Sequence, residues 1–516
     1  MEKLNITNGG RCHNQLWFTV LVSFVFCFAL LCLDYSVLHK NGVSFLIPRN
    51  FSDSGKTQKA NQLAPAIDEP PDSQNFPFPE NNVTLAVVNV TDPCSGKYIY
   101  VHRLPRRFNV DVLGDCRNLV KWFDMCPSLM NSGFGRKVEK PRGVLSGKNW
   151  FETNQFTLEL IFHQRIKHYK CLTNDSSMAS AVYIPFYAGL DLGRYLWGYN
   201  VSVRDASADG IVDWLRKQGE WNRMFGRDHF FVAGRIAWDF RRRSEDEFGW
   251  GSKIMTLPEF MNITMLSIES SSWSNEFAVP YPTYFHPSSD IDVIRWQKRI
   301  RARKRRYLFC FAGAPRPAMN ESIRGKLIAQ CLSARNGTCM FLDCKAEGNK
   351  CDSPVEVIKV FRDCKFCLQP PGDSYTRRST FDSIISGCIP VFFHPYSAYA
   401  QYIWYFPKNY TKYSVYIPED NIKTGNMSIG LALSRYSEHR IKAMRKEVVE
   451  LIPKVIYANP KSRFERFEDA FDIAVNRVLE RVNKVREITS VDFAVGNQWK
   501  LKLSGIVGDQ PLETFS

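Results

Sequence analysis

Two adjacent arginines, followed at helical spacing by an acid, are the residues of this chain best suited to chemistry. Arg377 and Arg378 come directly after the turn-forming run PPGDSYT, and Asp382 lies four residues beyond Arg378. Guanidinium groups form charge-assisted, bidentate hydrogen bonds with phosphate oxygens, and a helix start adds backbone N–H groups. A carboxylate one turn away shares a helix face with Arg378 and can accept hydrogen bonds from ribose hydroxyls. These residues predict a sugar-nucleotide site; the alternative is an Arg–Asp pair that only caps a helix.

Two strand-like runs end beside this motif and extend the predicted site. FCLQPPGDS ends at Gly372 and Ser374, and FAGAPRP contains Gly313 and Arg316. Ligands of open parallel sheets bind beyond the carboxyl ends of the strands, where a glycine leaves room. An ordinary Pro-Gly turn is the alternative for FAGAPRP. The predicted nucleotide-sugar site therefore comprises Gly313, Arg316, Gly372, Ser374, Arg377, Arg378 and Asp382.

Two other patterns suggest metals, and we expect none to bind there. Asp290 and Asp292 have Asp-x-Asp spacing, but they open a predicted helix, where acids favour the helix dipole without a metal. Six cysteines crowd between Cys331 and Cys367, yet they lack paired Cys-x2-Cys knuckles and nearby histidines. Twelve of the fifteen cysteines follow residue 33, and we expect disulfides among them, with the pairing left open.

Short apolar runs alternate with helical patterns along most of the chain. Strands are predicted at Lys97–Leu104, Ser180–Leu190, His229–Trp238, Tyr307–Pro317, Phe366–Gly372 and Cys388–Phe393. Helices are predicted at Phe156–Tyr169, Ile211–Trp221, Ile291–Arg306, Ser322–Leu332, Thr380–Ser386 and over most of Ile441–Ile488. Such alternation predicts an α/β fold whose parallel sheets are covered on both faces. Two alternating units, with a cleft between them, account for the length.

The N-terminal region has the composition of a membrane anchor and stem. Leu16–Leu33 is an uncharged apolar run of 18 residues, near the lower limit of about 17–25 for a membrane span. No small-x-small cleavage site follows it, so we favour an uncleaved signal anchor over a signal peptide. The Pro-, Asn- and Ser-rich segment after it predicts an extended stem.

Charge and sequons constrain the partners and the compartment. The net charge of +16 over 516 residues suits an anionic ligand, a membrane surface or nucleic acid. The basic run Arg299–Arg306 is compatible with nucleic acid, but a solvated helix is the simpler interpretation. Asn-x-Ser/Thr sequons, which are glycosylated in the secretory lumen, begin at Asn50, Asn82, Asn89, Asn174, Asn200, Asn262, Asn320, Asn336, Asn409 and Asn426. We therefore expect a luminal glycoprotein that binds no nucleic acid.

Several motifs together resemble one family over about Asp92 to the end of the tail helix. They include YIYVHRLPRRFN, WFETNQFTLELIFHQR, IPFYAGLDLGRYLWGYN, RDHFFVAGRIAWDFRR, VPYPTYFHP, FAGAPRP and CLQPPGDSYTRRSTFDSIISGCIPVFFHP. They resemble the plant xyloglucan galactosyltransferases, which are exostosin-type glycosyltransferases of family 47. The resemblance implies a GT-B fold of two Rossmann-like domains and inverting transfer of galactose from UDP-galactose to O-2 of a xylosyl side chain. It also implies a single-pass type II Golgi membrane protein, with no cofactor and no required metal.

The resemblance and the composition divide the chain into six segments. These are a cytosolic tail (1–15), a signal anchor (16–33), a stem (34–93), an acceptor domain (94–290), a nucleotide-sugar-binding domain with a closing helix (291–488) and a C-terminal tail (489–516). Many exostosin-type sequences carry an arginine three residues before the motif acid. Here Ser379 occupies that position, so a diphosphate role for Arg378 is transferred by analogy.

An inverting transfer needs a general base near the acceptor hydroxyl. Asp191, after the run YAGL, is the first candidate, and His229 is the second. Tyr187, Tyr195, Trp197 and Trp238 are candidates for stacking on sugar rings, with core packing as the alternative.

Related functions stay open at this point. Close relatives differ in using UDP-galacturonic acid as donor or a mannan as acceptor, and complexes with other Golgi glycosyltransferases are a further possibility. A catalytically silent glycan-binding partner is the main alternative from another class.

Overall fold

The computed structural model describes residues 92–495 except 140–142, 146–147, 245, 247–248, 272, 320, 336, 346–349 and 463. The predicted cytosolic tail, the anchor and nearly all of the stem lie outside the described residues. Within the described ranges, no helix is both long enough and apolar enough to cross a membrane.

The first sheet is built from the earlier half of this region. Its strands are β1 (Ile99–Val101), β2 (Leu172–Thr173), β3 (Ala181–Tyr183), β4 (His229–Ile236), β5 (Thr264–Glu269) and β6 (Glu276–Ala278). They are hydrogen-bonded in the order β2-β1-β3-β4-β5-β6, and every pair is parallel. β3 is shorter than the predicted strand, because Pro185 has no N–H to donate and a helix begins at Ala188.

The second sheet is built from the later half. Its strands are β7 (Tyr307–Gly313), β8 (Cys339–Asp343), β9 (Cys364–Gln369), β10 (Ile389–Phe392) and β11 (Val415–Tyr416). Their order is β11-β10-β9-β7-β8, again with parallel pairing throughout. The predicted α/β class with parallel sheets is confirmed, whereas the domain boundary at 290–291 stays a prediction.

Helices connect the strands and cover the sheets. They are α1 (Val110–Gly114), α2 (Cys126–Gly133), α3 (Leu158–Ile166), α4 (Ala188–Gly193), α5 (Val201–Leu215), α6 (Gly219–Met224), α7 (Asp290–Ala302), α8 (Arg324–Leu332), α9 (Pro354–Asp363), α10 (Arg378–Ile385), α11 (Glu419–Lys423), α12 (Ile429–Ser434), α13 (Glu438–Glu450) and α14 (Ala470–Val495). Local sequence sets several of these boundaries. For example, α9 begins with a proline at its first position after Ser353, whose hydroxyl accepts the N–H of Glu356.

The last helix returns to the first sheet instead of staying with the second. On α14, the Phe471 ring lies 4.7 Å from the Phe162 ring of α3. Arg165 pairs with Asp469 and Asp472 at 3.1 and 3.2 Å. The chain therefore crosses between the two sheets twice, and one continuous hydrophobic core includes residues of both.

Five disulfides are present among the described residues. They join Cys94–Cys171, Cys116–Cys126, Cys331–Cys339, Cys344–Cys351 and Cys367–Cys388. Cys310 and Cys364 are buried thiols of the second sheet. The crowded cysteines are thus mostly local cross-links, as expected for an oxidising compartment.

Candidate active site

The carboxyl ends of three neighbouring parallel strands define one edge of the second sheet. The loops that follow β7, β9 and β10 all emerge there, and α10 begins there at Arg378. The motif that the sequence singled out is therefore assembled at the edge where open parallel sheets bind ligands.

Arginines crowd this edge. Arg316, Arg324 and Arg377 lie close enough that the first two lower the pKa of the Arg377 guanidinium, in addition to the larger effect of its burial. Burial and Arg316 likewise lower the pKa of Arg324 to about 10. Of these three arginines, only Arg316 has an ion pair among the described residues, with exposed Asp373 at 3.0 Å.

The other two arginines of this cluster bind backbone carbonyls. Arg324 donates to the carbonyl of Pro371 at 2.9 Å, and Arg377 donates to that of Ala312 at 2.9 Å. Nη1 of Arg377 has no hydrogen-bond partner within the described part of the chain. The cluster thus holds more positive charge than its neighbours neutralise, which favours an anionic ligand.

Gly372 keeps space beside this cluster. A Cβ atom at this position would lie 2.9 Å from Nη2 of Arg324, so any side chain there would displace the guanidinium. Gly313 similarly lies against the Phe311 ring at the end of β7. Both glycines were predicted to provide room at strand ends, and the structure places both at this edge.

Arg378 and Asp382 form the predicted pair on one face of α10. Nε of Arg378 lies 3.4 Å from Oδ2 of Asp382, and the guanidinium stacks over the Tyr284 ring at 3.7 Å. Arg378 also donates to the carbonyl of Thr153, which belongs to the first half of the chain. Burial raises the pKa of Asp382 to about 6, although Arg378 opposes the shift.

This pair is not fully satisfied by the protein. Nη2 of Arg378 and Oδ1 of Asp382 lack hydrogen-bond partners among the described residues. One free donor and one free acceptor beside the arginine cluster suit a ligand that carries both phosphate and hydroxyl groups.

A glutamate from the first sheet fixes the loop between β9 and α10. The carboxylate of Glu269, the last residue of β5, accepts hydrogen bonds from Ser374 Oγ at 2.8 Å and from the N–H of Thr376 at 2.7 Å. The hydroxyl of Tyr281 lies 2.9 Å from Thr376 Oγ1. Ser374, a predicted ligand residue, therefore already has a structural partner in the first half.

An aromatic stack borders the same loop. The Tyr375 and His394 rings are stacked at 4.3 Å, and Tyr396 lies 5.7 Å from both. Tyr375 is exposed, so one part of the stack is open to a planar ligand.

Besides Glu269, the corresponding edge of the first sheet carries two acids that are paired with arginines. Asp191 on α4 pairs with Arg194. Asp239, after β4, lies 3.4 Å from Nη1 of Arg235 and accepts the indole N–H of Trp250 at 2.7 Å. Burial raises the pKa of Tyr281, and the charges of Glu269 and Asp239 from the first sheet and of Arg377 from the second also act on it.

His229 occupies a different place from Asp191. It is the first residue of β4, at the amino edge of the sheet, and is fully buried. Its Nδ1 lies 2.7 Å from Asp228, and its Nε2 lies 3.1 Å from Nε2 of His102. The structure therefore does not bring the two predicted base candidates together, and His229 has the surroundings of a structural histidine.

Some of the remaining predicted residues make hydrogen bonds within the protein, and others are exposed to solvent. Asp290 accepts the N–H of Glu465 at 2.9 Å and so holds a distant segment, whereas Asp292 accepts the Ser289 hydroxyl at 3.1 Å, at the start of α7. Tyr187 is buried against His163, whereas Trp238 is exposed. Described sequon asparagines that are exposed are Asn174, Asn200, Asn409 and Asn426, and Asn262 is half-buried.

Sequence reasoning missed Arg324, Glu269 and Asp239. Arg324 looked like an ordinary helix residue in SIRGK. Glu269 ends an apolar run that was not recognised as a strand. Asp239 follows a predicted strand directly, and that position was the signal that could have identified it.

Comparison with known proteins gives consistent matches. The exostosin GT47 domain matches residues 93–432. The probable xyloglucan galactosyltransferase GT12 of Arabidopsis thaliana is 56% identical over 79% of this chain and 81% of its own length. Xyloglucan galactosyltransferase MUR3 of the same plant is 50% identical over 89% and 74%. Its xyloglucan-specific galacturonosyltransferase 1 is 44% identical over 76% and 58%.

Proposed function

The chain belongs to the exostosin GT47 family, and we propose that it transfers galactose from UDP-galactose, with inversion, to xylosyl side chains of xyloglucan. The observation that carries this proposal is the arginine cluster, whose excess charge lies at the ligand-binding edge of a parallel sheet. The names of the relatives supply the substrate class, because two of the three carry galactosyltransferase activity on xyloglucan in their names.

In this proposal the second sheet binds the donor. Arg316, Arg324 and Arg377 contact the diphosphate, and the free N–H groups at the start of α10 add to them. Asp382 and Arg378 contact the ribose and the diphosphate, respectively. Tyr375 and His394 offer a flat surface for the uracil ring.

The acceptor enters from the first half of the chain. We take Asp239 as the leading general base, because its charge and that of Arg377 both act on the buried Tyr281 hydroxyl. Asp191, the first candidate from the sequence, is the competing choice at the same edge. Arg235 and Arg194 hold these two carboxylates in position.

The reaction then balances without a further reactant. The base takes the proton of the xylosyl hydroxyl as that oxygen attacks the anomeric carbon on the face opposite UDP. The bond between the anomeric carbon and the diphosphate oxygen breaks, and its electron pair leaves with UDP. Arginines around the diphosphate stabilise this developing negative charge, the kind of electrostatic help that typically dominates group transfer.

The finer architecture and location are part of the same proposal. Two parallel sheets that meet at a ligand edge are compatible with a GT-B arrangement. The apolar run at 16–33 and the exposed sequons support a type II Golgi glycoprotein whose catalytic part lies in the lumen. We assign no metal ligand, since Asp290 and Asp292 already accept hydrogen bonds from Glu465 and Ser289.

One alternative donor has specific support. A relative named as a xyloglucan-specific galacturonosyltransferase shares 44% identity with this chain. A uronic acid donor would add a carboxylate to the sugar, and the arginine-rich edge offers charge to receive it. A mannan acceptor and a silent glycan-binding role remain the further alternatives.

A transfer assay on the purified full-length chain tests the proposal. UDP-galactose and UDP-galacturonic acid would each be offered with xyloglucan and with galactomannan oligosaccharides, and the products read by mass spectrometry. Addition of one hexose to xyloglucan is the expected result. Addition of a uronic acid would assign a different donor, and transfer to the mannan would assign a different acceptor. UDP binding without any transfer would favour the silent role.

A further inference from the structure

Three tryptophans form a row on the surface of the first half. The Trp122 and Trp197 ring centroids are 6.0 Å apart, and those of Trp197 and Trp250 are 5.6 Å apart. Trp122 is 66% exposed and Trp250 is 40% exposed, while Trp197 is half-buried between them. Large exposed aromatic groups of this kind usually mark a binding surface, because exposing them to water is unfavourable.

The row is held rigidly. Trp122 lies on the loop 116–126, which the Cys116–Cys126 disulfide closes. Leu119 of this loop is buried, and its carbonyl lies so close to Gly193 of α4 that a Cβ there would meet it at 2.5 Å. An exposed tryptophan on a pinned loop loses little conformational entropy on binding, as a preorganised site requires.

The inner end of the row leads to the candidate active site. Trp250 donates its indole N–H to Asp239 at 2.7 Å. The charges of Asp239 and of Arg377 both act on the Tyr281 hydroxyl. The path runs from exposed Trp122 at its outer end to buried Asp239 at its inner end. A ligand that lay along the row would therefore reach the acid that we assign to the acceptor hydroxyl.

The chemistry of the row indicates an uncharged, branched glycan. Asp191 and Asp115 pair with Arg194, and Asp239 pairs with Arg235. Lys121 lies over the Trp122 ring at 5.0 Å, so charges of both signs border the row and neither sign dominates. The ring planes are turned by 67° and 73° from one neighbour to the next. Such a row suits a single branched chain, whose sugar rings face several directions, better than a flat surface.

We propose that Trp122, Trp197 and Trp250 form a binding platform for the backbone of a neutral branched β-glucan acceptor, several sugars away from the reacting hydroxyl. This inference rests on the proposed function for the identity of the glycan. The platform selects acceptors with several backbone sugars over single sugar units, because the successive rings of the row are 6.0 and 5.6 Å apart.

Trp122→Ala in the full-length chain tests the platform. Binding of a long fragment, a xyloglucan oligosaccharide of several repeats, and of a short fragment, a single xylosyl-glucose unit, would be measured by calorimetry. Loss of an exposed aromatic anchor is expected to weaken long-fragment binding about tenfold, within the range of interface hot spots. Short-fragment binding, UDP binding and kcat at saturating acceptor stay within about twofold of wild type, which is below a hot-spot effect. Leu431→Ala, at a residue 68% exposed on α12, is the matched control.

A second variant protects the test against misfolding. Trp122→Tyr keeps an aromatic ring on the loop and is expected to give an intermediate loss. Unchanged long-fragment binding in both variants would overturn the platform, even if the protein transfers galactose. Weakened long-fragment binding in a protein that transfers no sugar would support the platform and remove the proposed function. A change of oligomeric state or of lipid-vesicle binding, without a change in glycan affinity, would also overturn the inference.

Discussion

At the carboxyl edge of the second sheet, three arginines share one exposed carboxylate, whereas at the same edge of the first sheet Asp191 and Asp239 each have an arginine partner. Arg324 and Arg377 bind only backbone carbonyls there, while Asp191 and Asp239 pair with Arg194 and Arg235. The same parallel α/β plan thus gives one edge that needs an anion and one that is close to neutral. In the proposed function, it is therefore the side chains at the strand ends, and not the sheets themselves, that place the donor in one half and the acceptor in the other.

The largest predicted effect comes from replacing Asp239, the carboxylate that we propose faces the acceptor. Asp239→Asn is expected to lower kcat by about a hundredfold or more, the usual contribution of a general base, with UDP affinity unchanged. Asp191→Asn serves as the matched variant. It should mainly destabilise the fold, because Arg194 keeps only a partial partner in Asp115 at 3.4 Å. Steady-state kinetics and thermal melting separate the two effects, and the reverse pattern would make Asp191 the base.

The positive edge is tested by Arg378→Ala and Arg377→Ala. Each loses charge-assisted hydrogen bonds to the diphosphate, so UDP affinity should fall about ten- to a hundredfold in calorimetric titration. Arg301→Ala, at an exposed arginine that pairs with Glu450, is the control and should bind UDP normally. An unchanged UDP affinity for both variants would remove the donor site from this edge.

The link between the two edges is tested by Glu269→Gln. Oε2 of Glu269 accepts all the hydrogen bonds from Ser374 and Thr376. The amide oxygen of Gln carries no negative charge, so these bonds lose their charge assistance. The loop before α10 should loosen, which lowers the free energy of unfolding by about 1–3 kcal/mol and weakens UDP binding several-fold. Ser374→Ala removes one of these bonds and should show a smaller loss. Faster hydrogen exchange confined to 370–377 would locate the effect.

The smallest predicted effect concerns acid stability and distinguishes the two halves again. Burial lowers the pKa of His102, His163 and His286 to about 3, all before residue 290. The unfolded chain therefore takes up protons first as the pH falls below the ordinary histidine value of about 6.5. Stability present above that pH is lost on acidification, by about 1.4 kcal/mol per pH unit for each histidine.

His163→Gln isolates one of these histidines. Its free energy of unfolding, from denaturant titrations between pH 6 and 5, should depend on pH less steeply than that of wild type by about 1.4 kcal/mol per unit. The raised pKa values of Glu159, to about 7, and of Asp382, to about 6, act in the opposite direction in both proteins and cancel in the difference. Equal slopes would mean that His163 titrates normally.

The sequence predicted those parts of the site that are local. Arg377, Arg378 and Asp382 are close along the chain, and their neighbours Gly313 and Gly372 follow recognisable strands. Glu269 was missed because its partners, Ser374 and Thr376, are more than one hundred residues away. Local spacing carries no information about such pairings.

His229 shows a second limit of reasoning from local sequence. It was a candidate base at the start of a predicted strand, but only the fold shows that it lies at the amino edge of β4. The return of α14 to the first sheet was equally invisible, because the helix pattern of Ala470–Val495 does not show which sheet it covers. Topology therefore limited the prediction more than residue chemistry did.

The most direct test of the account is a structure of the full-length chain with UDP bound. The account predicts diphosphate oxygens within hydrogen-bond distance of Arg377 and Arg324, and the ribose beside Asp382. It also predicts no contact between UDP and Asp290 or Asp292. UDP bound at the edge of the first sheet, or through a metal held by those two acids, would contradict the assignment of donor and acceptor to the two halves.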